Sequence, residues 1–542
     1  MTESIPSSPG TGDSCAKKGP GDNNITYLNL TFESALPHPV QSNPDILPPD
    51  ISKLDSPYTW SPFYKNLITY VSCIATLFAS FAASCYSPGA EQMSSEWGIS
   101  QVATLVGITT FCCGFAVGPM FLAPFSEVVG RKPVFVATAI LLMVCQICCA
   151  VTRLYSGMLV ARLFAGVGGS TFSTMVGGII ADIYTPSNRN TPMTLFSAGA
   201  LFGTGLGPLV CGFIGQYTTW RWIFYIQIII AGMITISVVL FFRETRSAVV
   251  LRQRAKVLNK WYEKLEDAGC KGLYFPQPEP SSGGDGEEDQ EEKEKEKRPL
   301  RIRFKVAADE DRASLAALLR TSLSRPFLLL LTEPVVFFFS LWAAFSWSVL
   351  YINLSVIPLV FQSTYGFSLS DSNAIFTATC VGSLLATALS IFQDRLASRR
   401  ENWNTTPEHR LYFSCIESIL LPMGLFLFGW TAQYAVHWIV PAIAVAISTM
   451  GIFAVYLAVF NYLADTYHVY ASSALAAQSF CRNSMGGVFP LISKQLFNNL
   501  GFGAAASLLG GVGLGLTLVP WVLVFFGKRI RGKSRLAREI MD

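Results

Sequence analysis

Two charged hairpins interrupt the long uncharged runs of this sequence, and they carry residue types that form ion pairs. The hairpin residues are Glu127, Gly130, Arg131 and Lys132 after the second apolar run, with a weaker echo at Asp394 and Arg395 after the eighth. Charge-assisted contacts of this kind can latch an interface in one state and release it in another, although Arg131 and Lys132 also suit simple topology determination. The repetition predicts one membrane unit that is present twice.

Ionisable residues inside the apolar runs are candidates for proton coupling. Arg162 lies about one turn into the fourth run, where a charge facing lipid would cost roughly 2.5–3.5 kcal/mol. We therefore expect it to face a cavity or a partner helix, with extension to the outer headgroups as the alternative. Glu417 lies about two turns into the ninth run, where burial favours the neutral carboxyl that a proton carrier needs. Glu333 and Asp465 near helix ends are further candidates, with pairing or capping as their alternative role.

A third set of side chains could line a path for an organic substrate. Its aromatic and polar members are Trp342, Phe345, Trp347, Tyr351, Asn353, Gln227, Gln478, Arg482 and Asn483. Aromatic surface with few polar groups suits bulky amphipathic molecules, cations among them, better than sugars or phosphate, and ordinary helix packing is the alternative. Arg482 is the costliest of the set to bury, so it is the one most expected to serve a function.

The composition indicates which elements must position these residues. Of the 542 residues, 51% are hydrophobic and 14% are charged, against roughly 25% charged in soluble domains. The mean hydropathy is +0.41. A soluble protein could not hide so much apolar surface, so the solvent must be lipid, and a net charge of +4 is too small to indicate nucleic acid.

Runs long enough to cross a bilayer as helices occur about twelve times. The predicted spans are 66–86, 103–122, 134–151, 158–180, 194–214, 223–242, 334–361, 374–392, 412–430, 438–463, 474–497 and 504–526. Open sheet edges cannot face lipid, and these runs are longer than the strands of a barrel. The predicted fold class is an all-α integral membrane protein with twelve transmembrane helices in two pseudo-symmetric six-helix bundles.

The distribution of basic residues predicts the orientation and the domains. Both hairpins and the tail after the last span are rich in Lys and Arg, which places both termini and the middle loop in the cytosol. The predicted domains are a disordered tail at 1–60, bundles at 61–243 and 326–527, a cytosolic loop at 244–325 and a cytosolic tail at 528–542. Within the loop, 249–267 predicts an amphipathic helix on the inner leaflet, and the loop is either a tether or a regulatory partner site.

Glycine and proline crowd the fifth span. Gly203, Gly207, Pro208 and Gly212 would allow close helix approach and a bend, and Gly486, Gly487 and Pro490 occupy the corresponding place in the eleventh span. Parallel placement of broken, glycine-rich helices supports a six-plus-six repeat. The cysteines show no metal or disulfide spacing, so we expect no metal and no cofactor.

Together these motifs resemble the major facilitator superfamily, and most closely its fungal twelve-span drug:proton antiporters. The matching residues are the hairpin 123–132 with Ala123 and Glu127 as variants, Arg162 with Gly166, the fifth-span motif with Cys211 as a variant, Arg325-Pro326, Glu333-Pro334 and Asn461–Asp465. The resemblance covers roughly 60–531. It implies a rocking, alternating-access transporter in which Arg162 serves proton transfer and the glycine-rich helix serves antiport.

The resemblance predicts a proton-coupled exporter of drugs, toxins or secondary metabolites. Its partners would be the substrate, protons and the bilayer, with no nucleic acid, and the protein would be a monomer in the plasma membrane, with the vacuolar membrane as the alternative. A polyamine exporter, a nutrient symporter and a transporter-like sensor are the other hypotheses. The sequence contains neither a Walker loop nor a nucleophile with a placed base, so we do not expect an enzyme.

Overall fold

A computed structural model describes residues 25–34, 36–39, 46–185, 188–268, 273–274, 301–307, 315–398, 411–467 and 470–533. In chain order the elements are β1 Ile25–Asn29, β2 His38–Pro39, α1 Pro62–Ser84, α2 Ala90–Trp97, α3 Gln101–Val129, α4 Arg131–Val151, α5 Tyr155–Ile183, α6 Asn190–Tyr217, α7 Arg221–Phe241, α8 Ser247–Asp267, β3 Leu273–Tyr274, β4 Arg301–Lys305, α9 Leu315–Thr332, α10 Pro334–Tyr365, α11 Leu369–Ala374, α12 Thr377–Ser398, α13 Leu411–Glu417, α14 Leu420–Gln433, α15 Ile439–Tyr467, α16 Ala471–Leu500, α17 Phe502–Leu516 and α18 Leu518–Lys533.

Most of these helices are long and apolar enough to cross a membrane. Within the described residues, 11 segments meet that condition, and they correspond to every predicted span but the eleventh. The eleventh predicted span is α16, which is 30 residues long but carries Arg482 and Lys494 on an otherwise mixed surface. Its length fits a crossing, and its polarity is tolerable only where the polar face meets protein. The chain is a multi-pass membrane protein with six spans in each half.

Capping serines mark the beginning of two spans, and a glycine in the left-handed conformation marks the end of another. Ser61 caps α1 by accepting from the Tyr64 N–H at 3.4 Å, and Ser100 caps α3 by accepting from the Ala103 N–H at 3.2 Å. Gly366, with a φ of +68°, ends α10 in the left-handed conformation. Several observed spans are interrupted: the eighth, which begins five residues before its predicted start at 374, consists of α11 and α12, the ninth of α13 and α14, and the twelfth of α17 and α18.

The two six-helix halves meet at α3 and at α6. α3 packs along α16, and α6 packs along α11 and α12. Thr109 on α3 donates to the Gly487 carbonyl of α16 at 2.7 Å, and the Gln216 side chain of α6 accepts from the Ser370 N–H of α11 at 2.6 Å. These contacts tie the halves together along a seam where one half can rock against the other.

A second compact unit is formed by β1–β4 and α8. Strand β1 pairs in parallel with β4, with Ile25 opposite Arg301 and Asn29 opposite Lys305. α8 covers β4, and Leu258, Tyr262 and Ile302 are buried between them. Asn259 locks this packing, because its side-chain amide donates to the Phe304 carbonyl and accepts from the Phe304 N–H, both at 2.8 Å.

This unit corrects the sequence prediction for two segments. The tail 1–60 is not disordered throughout, because Ile25–Asn29 is a strand that finds its partner in the distant middle loop. The loop helix predicted at 249–267 is present as α8, and its apolar face is buried against β4. The alternation of basic and apolar residues in Arg301–Lys305 is too short to indicate a strand by itself. Its parallel partner β1 is far away in the sequence, so no local pattern predicts the pairing. The Glu/Lys-rich segment 281–298 lies outside the described residues.

Arg301, Arg303 and Glu266 form a charged cluster on this unit, and the cluster predicts that the stability of the unit decreases at acid pH. Arg303 and Arg301 donate to the Glu266 carboxylate at distances from 2.8 to 3.3 Å. Arg303 first, and then Arg301, lowers the pKa of Glu266 from 4.5 to about 2. Because the folded-state pKa is depressed, this stabilisation is present above about pH 4.5 and is lost as the pH falls towards 2.

We expect Glu266→Gln to weaken the protection of the β4 amides against hydrogen exchange at neutral pH by roughly tenfold, the effect of about 1.4 kcal/mol. The measurement is hydrogen exchange of the full chain, corrected for intrinsic rates. Glu263→Gln is the matched control, because Glu263 is 61% exposed and lies 3.9 Å from Arg303. Equal effects of the two substitutions would contradict this account.

Candidate functional site

Arg131 ties together three helices at the cytoplasmic end of the first half. Its Nε lies 3.2 Å from Asp182 Oδ2 in the last turn of α5, and its Nη1 donates to Ser126 Oγ of α3 at 3.1 Å. The two side chains of the ion pair are only 7% and 12% exposed, so bulk water screens the pair little. Gly130 makes the sharp turn between α3 and α4 with a φ of +119°, which side-chain-bearing residues rarely adopt.

Glu244 adds a fourth helix to this hairpin. It follows the end of α7, and its carboxylate accepts from the Arg131 N–H at 2.8 Å and the Lys132 N–H at 3.1 Å. A carboxylate at the first turn of α4 also meets the positive end of that helix dipole. Glu127, the acid that the sequence suggested for the latch, is exposed on the last turn of α3. Asp182 makes an ion pair with Arg131 of this hairpin, and Glu244 caps the following helix.

We expect Arg131→Ala and Asp182→Asn each to lower transport roughly tenfold, and the double variant to be little worse than either one. Contacting partners show coupling energies of about 0.5–3 kcal/mol, whereas distant sites add. The measurement is initial transport rate at matched surface expression. Asp182→Asn combined with Arg153→Ala is the control, because Arg153 is exposed in the loop beyond the other end of α5. Additive losses for Arg131 and Asp182 would exclude a coupled latch.

The second hairpin bridges the two halves. Asn190 at the start of α6 donates from Nδ2 to Asp394 Oδ1 near the end of α12, at 3.0 Å. Arg395 is exposed beside it, and the basic residues at 399 and 400 lie outside the described residues. The echo found in the sequence thus contributes a carboxylate that contacts the opposite half at the cytoplasmic side.

Arg162 is completely buried between α1, α3 and α5. Its Nη1 donates to the Ala82 carbonyl at 2.8 Å, its Nη2 to the Ala83 carbonyl at 3.4 Å, and its Nε to the Gly107 carbonyl at 3.2 Å. Ala82 and Ala83 belong to the last turn of α1, whose carbonyls lack partners within the helix and carry its negative dipole end. The guanidinium therefore caps α1 and does not extend to the headgroups.

Two rings complete the surroundings of this guanidinium. Arg162 Cζ lies 4.9 Å from the centre of the Tyr86 ring and 4.5 Å from that of Phe111. Its charge is thus held by carbonyls and aromatic faces. These contacts with carbonyls and rings position the ends of α1, α3 and α5 relative to one another.

The small residues of the glycine-rich helix α6 allow it to pack closely against both α1 and α11. Gly203 and Gly207 lie against the backbone of α1 near Leu77 and Phe81, and Gly212 lies against Asn373 of α11 in the other half. Pro208 stands inside the helix and is buried. α6 is therefore in close contact with its own half along one face and with the opposite half along another, which is the arrangement that a pivot requires.

The predicted carboxylate candidates lie near cytoplasmic helix ends. Glu333 precedes α10, is 4% exposed and accepts from the Tyr467 hydroxyl at 3.2 Å. Asp465 lies in the last turn of α15, where it is partly buried. Glu417 ends the short helix α13 and accepts from the Gln393 side chain of α12. None of these three lies beside Arg162 in the described contacts, so the structure separates the acids from the central arginine.

The substrate candidates divide into a central group and a packing group. Trp342 stacks on Phe339 in the core of the second half, and Phe345 faces α17 at Gly513. Gln227 donates to Cys85 Sγ at 2.9 Å and to its own helix, and Asn483 donates to Ser479 one turn earlier. Gln478 and Asn353 are buried on α16 and α10. These side chains support helices more than they shape one common cavity.

The central group gathers around Arg482. Its Cζ lies 4.4 Å from the ring centre of Trp347 on α10 and 4.9 Å from that of Tyr456 on α15. Arg482 is 2% exposed and makes no hydrogen bond or ion pair with any described residue. Cation–π contacts contribute up to about 2 kcal/mol, whereas burying an ion costs several kcal/mol. This guanidinium is therefore under-compensated, in contrast to Arg162.

Sequence reasoning missed some residues of the candidate site. Asp182 and Glu244 sit at cytoplasmic helix ends, and the need of Arg131 for a buried acid was the available signal. Tyr456 lies in an apolar stretch of α15 that looks like packing, so nothing in the sequence distinguished it. Tyr351 was predicted and is buried on α10, where its ring centre lies 6.5 Å from that of Trp347.

Comparison with known families gives a match over most of the chain. The model of the Major Facilitator Superfamily matches residues 72–490. A Fusarium oxysporum protein named efflux pump FUBT is 31% identical over 498 residues, which are 91% of this chain and 77% of that protein. An Aspergillus fumigatus protein named major facilitator superfamily multidrug transporter mdrA is 32% identical over 497 residues, covering 89% of this chain and 74% of its own length.

Solved structures agree in fold. The proton:xylose symporter XylE bound to 6-bromo-6-deoxy-D-glucose aligns with a TM-score of 0.58 at 15% identity, over 86% of this chain and 97% of XylE. At that identity the likeness concerns the fold alone. It fits the two halves of six spans described above.

Proposed function

Because this chain belongs to the Major Facilitator Superfamily, we propose that it is a proton-coupled efflux pump for hydrophobic or amphipathic small molecules. Its curated relatives are fungal proteins named as efflux pumps and multidrug transporters. It acts by alternating access, with the two halves rocking about the α3–α16 and α6–α12 seams, and it is a transporter rather than an enzyme. We place it in the plasma membrane as a monomer.

The observation that carries this proposal is the buried charge chemistry of the first half. Arg162 holds together the ends of α1, α3 and α5 that lie opposite to the Arg131 hairpin, and the Arg131–Asp182 pair holds three helices at the cytoplasmic end. A charge-paired cytoplasmic end is a switch, because its contacts favour the state in which it is closed. Protonation of an acid at that end would weaken the pairing and bias the equilibrium towards opening.

The proton site belongs to the acids near the cytoplasmic ends. Within the described spans, the helices hold Glu127, Asp182, Asp394 and Asp465 in their last turns, and Glu417 somewhat deeper. Glu417 has one neutral partner, Gln393, so its neutral and charged forms are both accommodated. Glu417 and Asp182 are therefore the positions at which we expect substitution by Asn or Gln to change the coupling.

The test is accumulation of a fluorescent compound in cells that overexpress the protein, measured with and without a protonophore. We expect low accumulation in energised cells and a rise to the level of the deletion strain after the gradient collapses. Arg162→Ala at matched surface expression is the control for a protein that is present but inactive. Export that survives collapse of the gradient rejects proton coupling, and accumulation equal to that of the deletion strain throughout rejects efflux.

A further inference from the structure

The interior of the described membrane unit contains two buried arginines, and the described acids of its helices lie near helix ends, with Glu91, Glu96 and Asp371 on the side opposite to Asp182. Arg162 and Arg482 are 0% and 2% exposed. Arg162 Cζ lies 4.5 Å from the centre of the Phe111 ring on α3, and α3 packs along α16, which carries Arg482. The centre of the molecule is therefore positive. A cationic substrate such as a polyamine would be repelled there, which opposes the expectation that cations are among the preferred cargo.

The two arginines differ in whether their N–H donors have partners among the described residues. Arg162 already donates to three backbone carbonyls. Arg482 donates to no described residue, and its Nε is buried and unpartnered. A planar guanidinium presents donors in a fork that matches the two oxygens of a carboxylate. Arg482 is thus the one of the pair that can receive an anionic group.

Two further unpartnered donors stand beside Arg482. The indole Nε1 of Trp347 and the hydroxyl of Tyr456 are buried and have no hydrogen-bond partner among the described residues. Their rings lie 5.4 Å apart with an interplanar angle of 32°, and the guanidinium packs on both. Buried polar atoms are normally paired, so three orphans at one point indicate that something other than this chain supplies the acceptor.

The shape of α16 supports a ligand at this point. Gln478, Arg482 and Gly486 are spaced four residues apart and share one face of the helix. A Cβ at Gly486 would lie 3.2 Å from Trp347 and 3.6 Å from Tyr351. The absence of a side chain there leaves the two rings lying directly against the helix, next to the guanidinium. The surface offers an aromatic platform with a positively charged edge.

We propose that this protein carries organic anions, and that Arg482 binds the carboxylate or similar planar oxyanion of an aromatic substrate while Trp347 and Tyr456 contact its apolar body. This proposal specifies the substrate class of the efflux pump proposed above and rests on it. The same surface explains selectivity, because the neutral amide of a carboxylic acid would leave the charge of Arg482 uncompensated.

The test is binding of three matched probes to the purified full chain at neutral pH, by calorimetry: naphthoate, naphthamide and naphthylmethylamine. We expect naphthoate to bind at least about tenfold more tightly than the amide, and the amine to bind most weakly. Arg482→Gln should remove the preference for naphthoate, and Arg482→Lys should retain part of it. Arg153→Gln, which removes an exposed charge, should leave all three affinities unchanged.

Trp347→Phe provides a second variant in case Arg482→Gln does not fold. It keeps a ring and removes the Nε1 donor, so we expect it to weaken naphthoate several-fold and naphthamide little. Equal affinity for the three probes, or a preference for the amine, overturns the proposal even if the protein exports neutral dyes. Selective naphthoate binding without gradient-driven export of any compound supports the anion site and rejects the proposed efflux function instead.

Discussion

Arg162→Ala is expected to abolish transport, with a fall of at least about tenfold, while leaving the protein at the cell surface. The substitution removes three charge-assisted donors from the carbonyls of Ala82, Ala83 and Gly107. Hydrogen bonds to charged groups contribute about 1.5–3 kcal/mol each, and they are not additive in one network. Because each helix keeps its own backbone bonds, insertion into the membrane does not depend on Arg162, whereas the mutual position of α1, α3 and α5 does.

Lysine at this position is expected to recover little. An ammonium group cannot lie flat between the Tyr86 and Phe111 rings and at the same time donate along three fixed directions. The measurement is initial efflux rate normalised to surface protein, with melting temperature of the purified variants as a check on folding. Arg153→Ala removes an exposed arginine from the loop that precedes α5 and serves as the control. Wild-type efflux in Arg162→Ala would reduce this residue to a packing role.

The large elements could be predicted because lipid imposes a simple rule. Every apolar run of membrane length must be a helix, so the spans and the two halves followed from composition and length. The burial of the single charges in those runs could also be predicted, because exposing Arg162 or Arg482 to lipid would be too costly. Both arginines are buried against protein. The sequence thus identified the expensive residues without identifying their partners.

Partners were missed where the two members lie far apart in the chain. Arg131 pairs with Asp182, and its backbone N–H donates to Glu244, which caps α4. Neither acid differs in sequence from an ordinary helix-end residue. The pairing of β1 with β4 joins the tail to the middle loop, and parallel pairing between distant segments depends on tertiary packing alone. The difference between a capped Arg162 and an uncompensated Arg482 is likewise invisible in sequence, because both read as one arginine in an apolar helix.

Gly203→Ala is expected to destabilise the first half, whereas Gly511→Ala is expected to leave the stability of the protein unchanged or slightly higher. A Cβ at Gly203 would overlap the carbonyl oxygen of Leu77, which is backbone and cannot rotate away. Gly511 on α17 is exposed, and a Cβ there meets nothing within 4 Å. Both changes bring the same gain in helix propensity, up to about 1 kcal/mol, so only the contact differs between them.

The contact at Gly203 decides whether an added Cβ stabilises or destabilises the protein, because α1 and α6 have no room to separate. Their small-residue seam continues at Gly207, where a Cβ would overlap Ser84, and Arg162 holds the end of α1 from the other side. Overpacking in such a core costs about 1–3 kcal/mol or more. We expect Gly203→Ala to lower the melting temperature of the purified protein and its efflux together, with Gly203→Leu failing to accumulate at all. Equal melting temperatures for Gly203→Ala and Gly511→Ala would mean that α6 moves away from α1 freely, and that the close α1–α6 contact does not stabilise the first half.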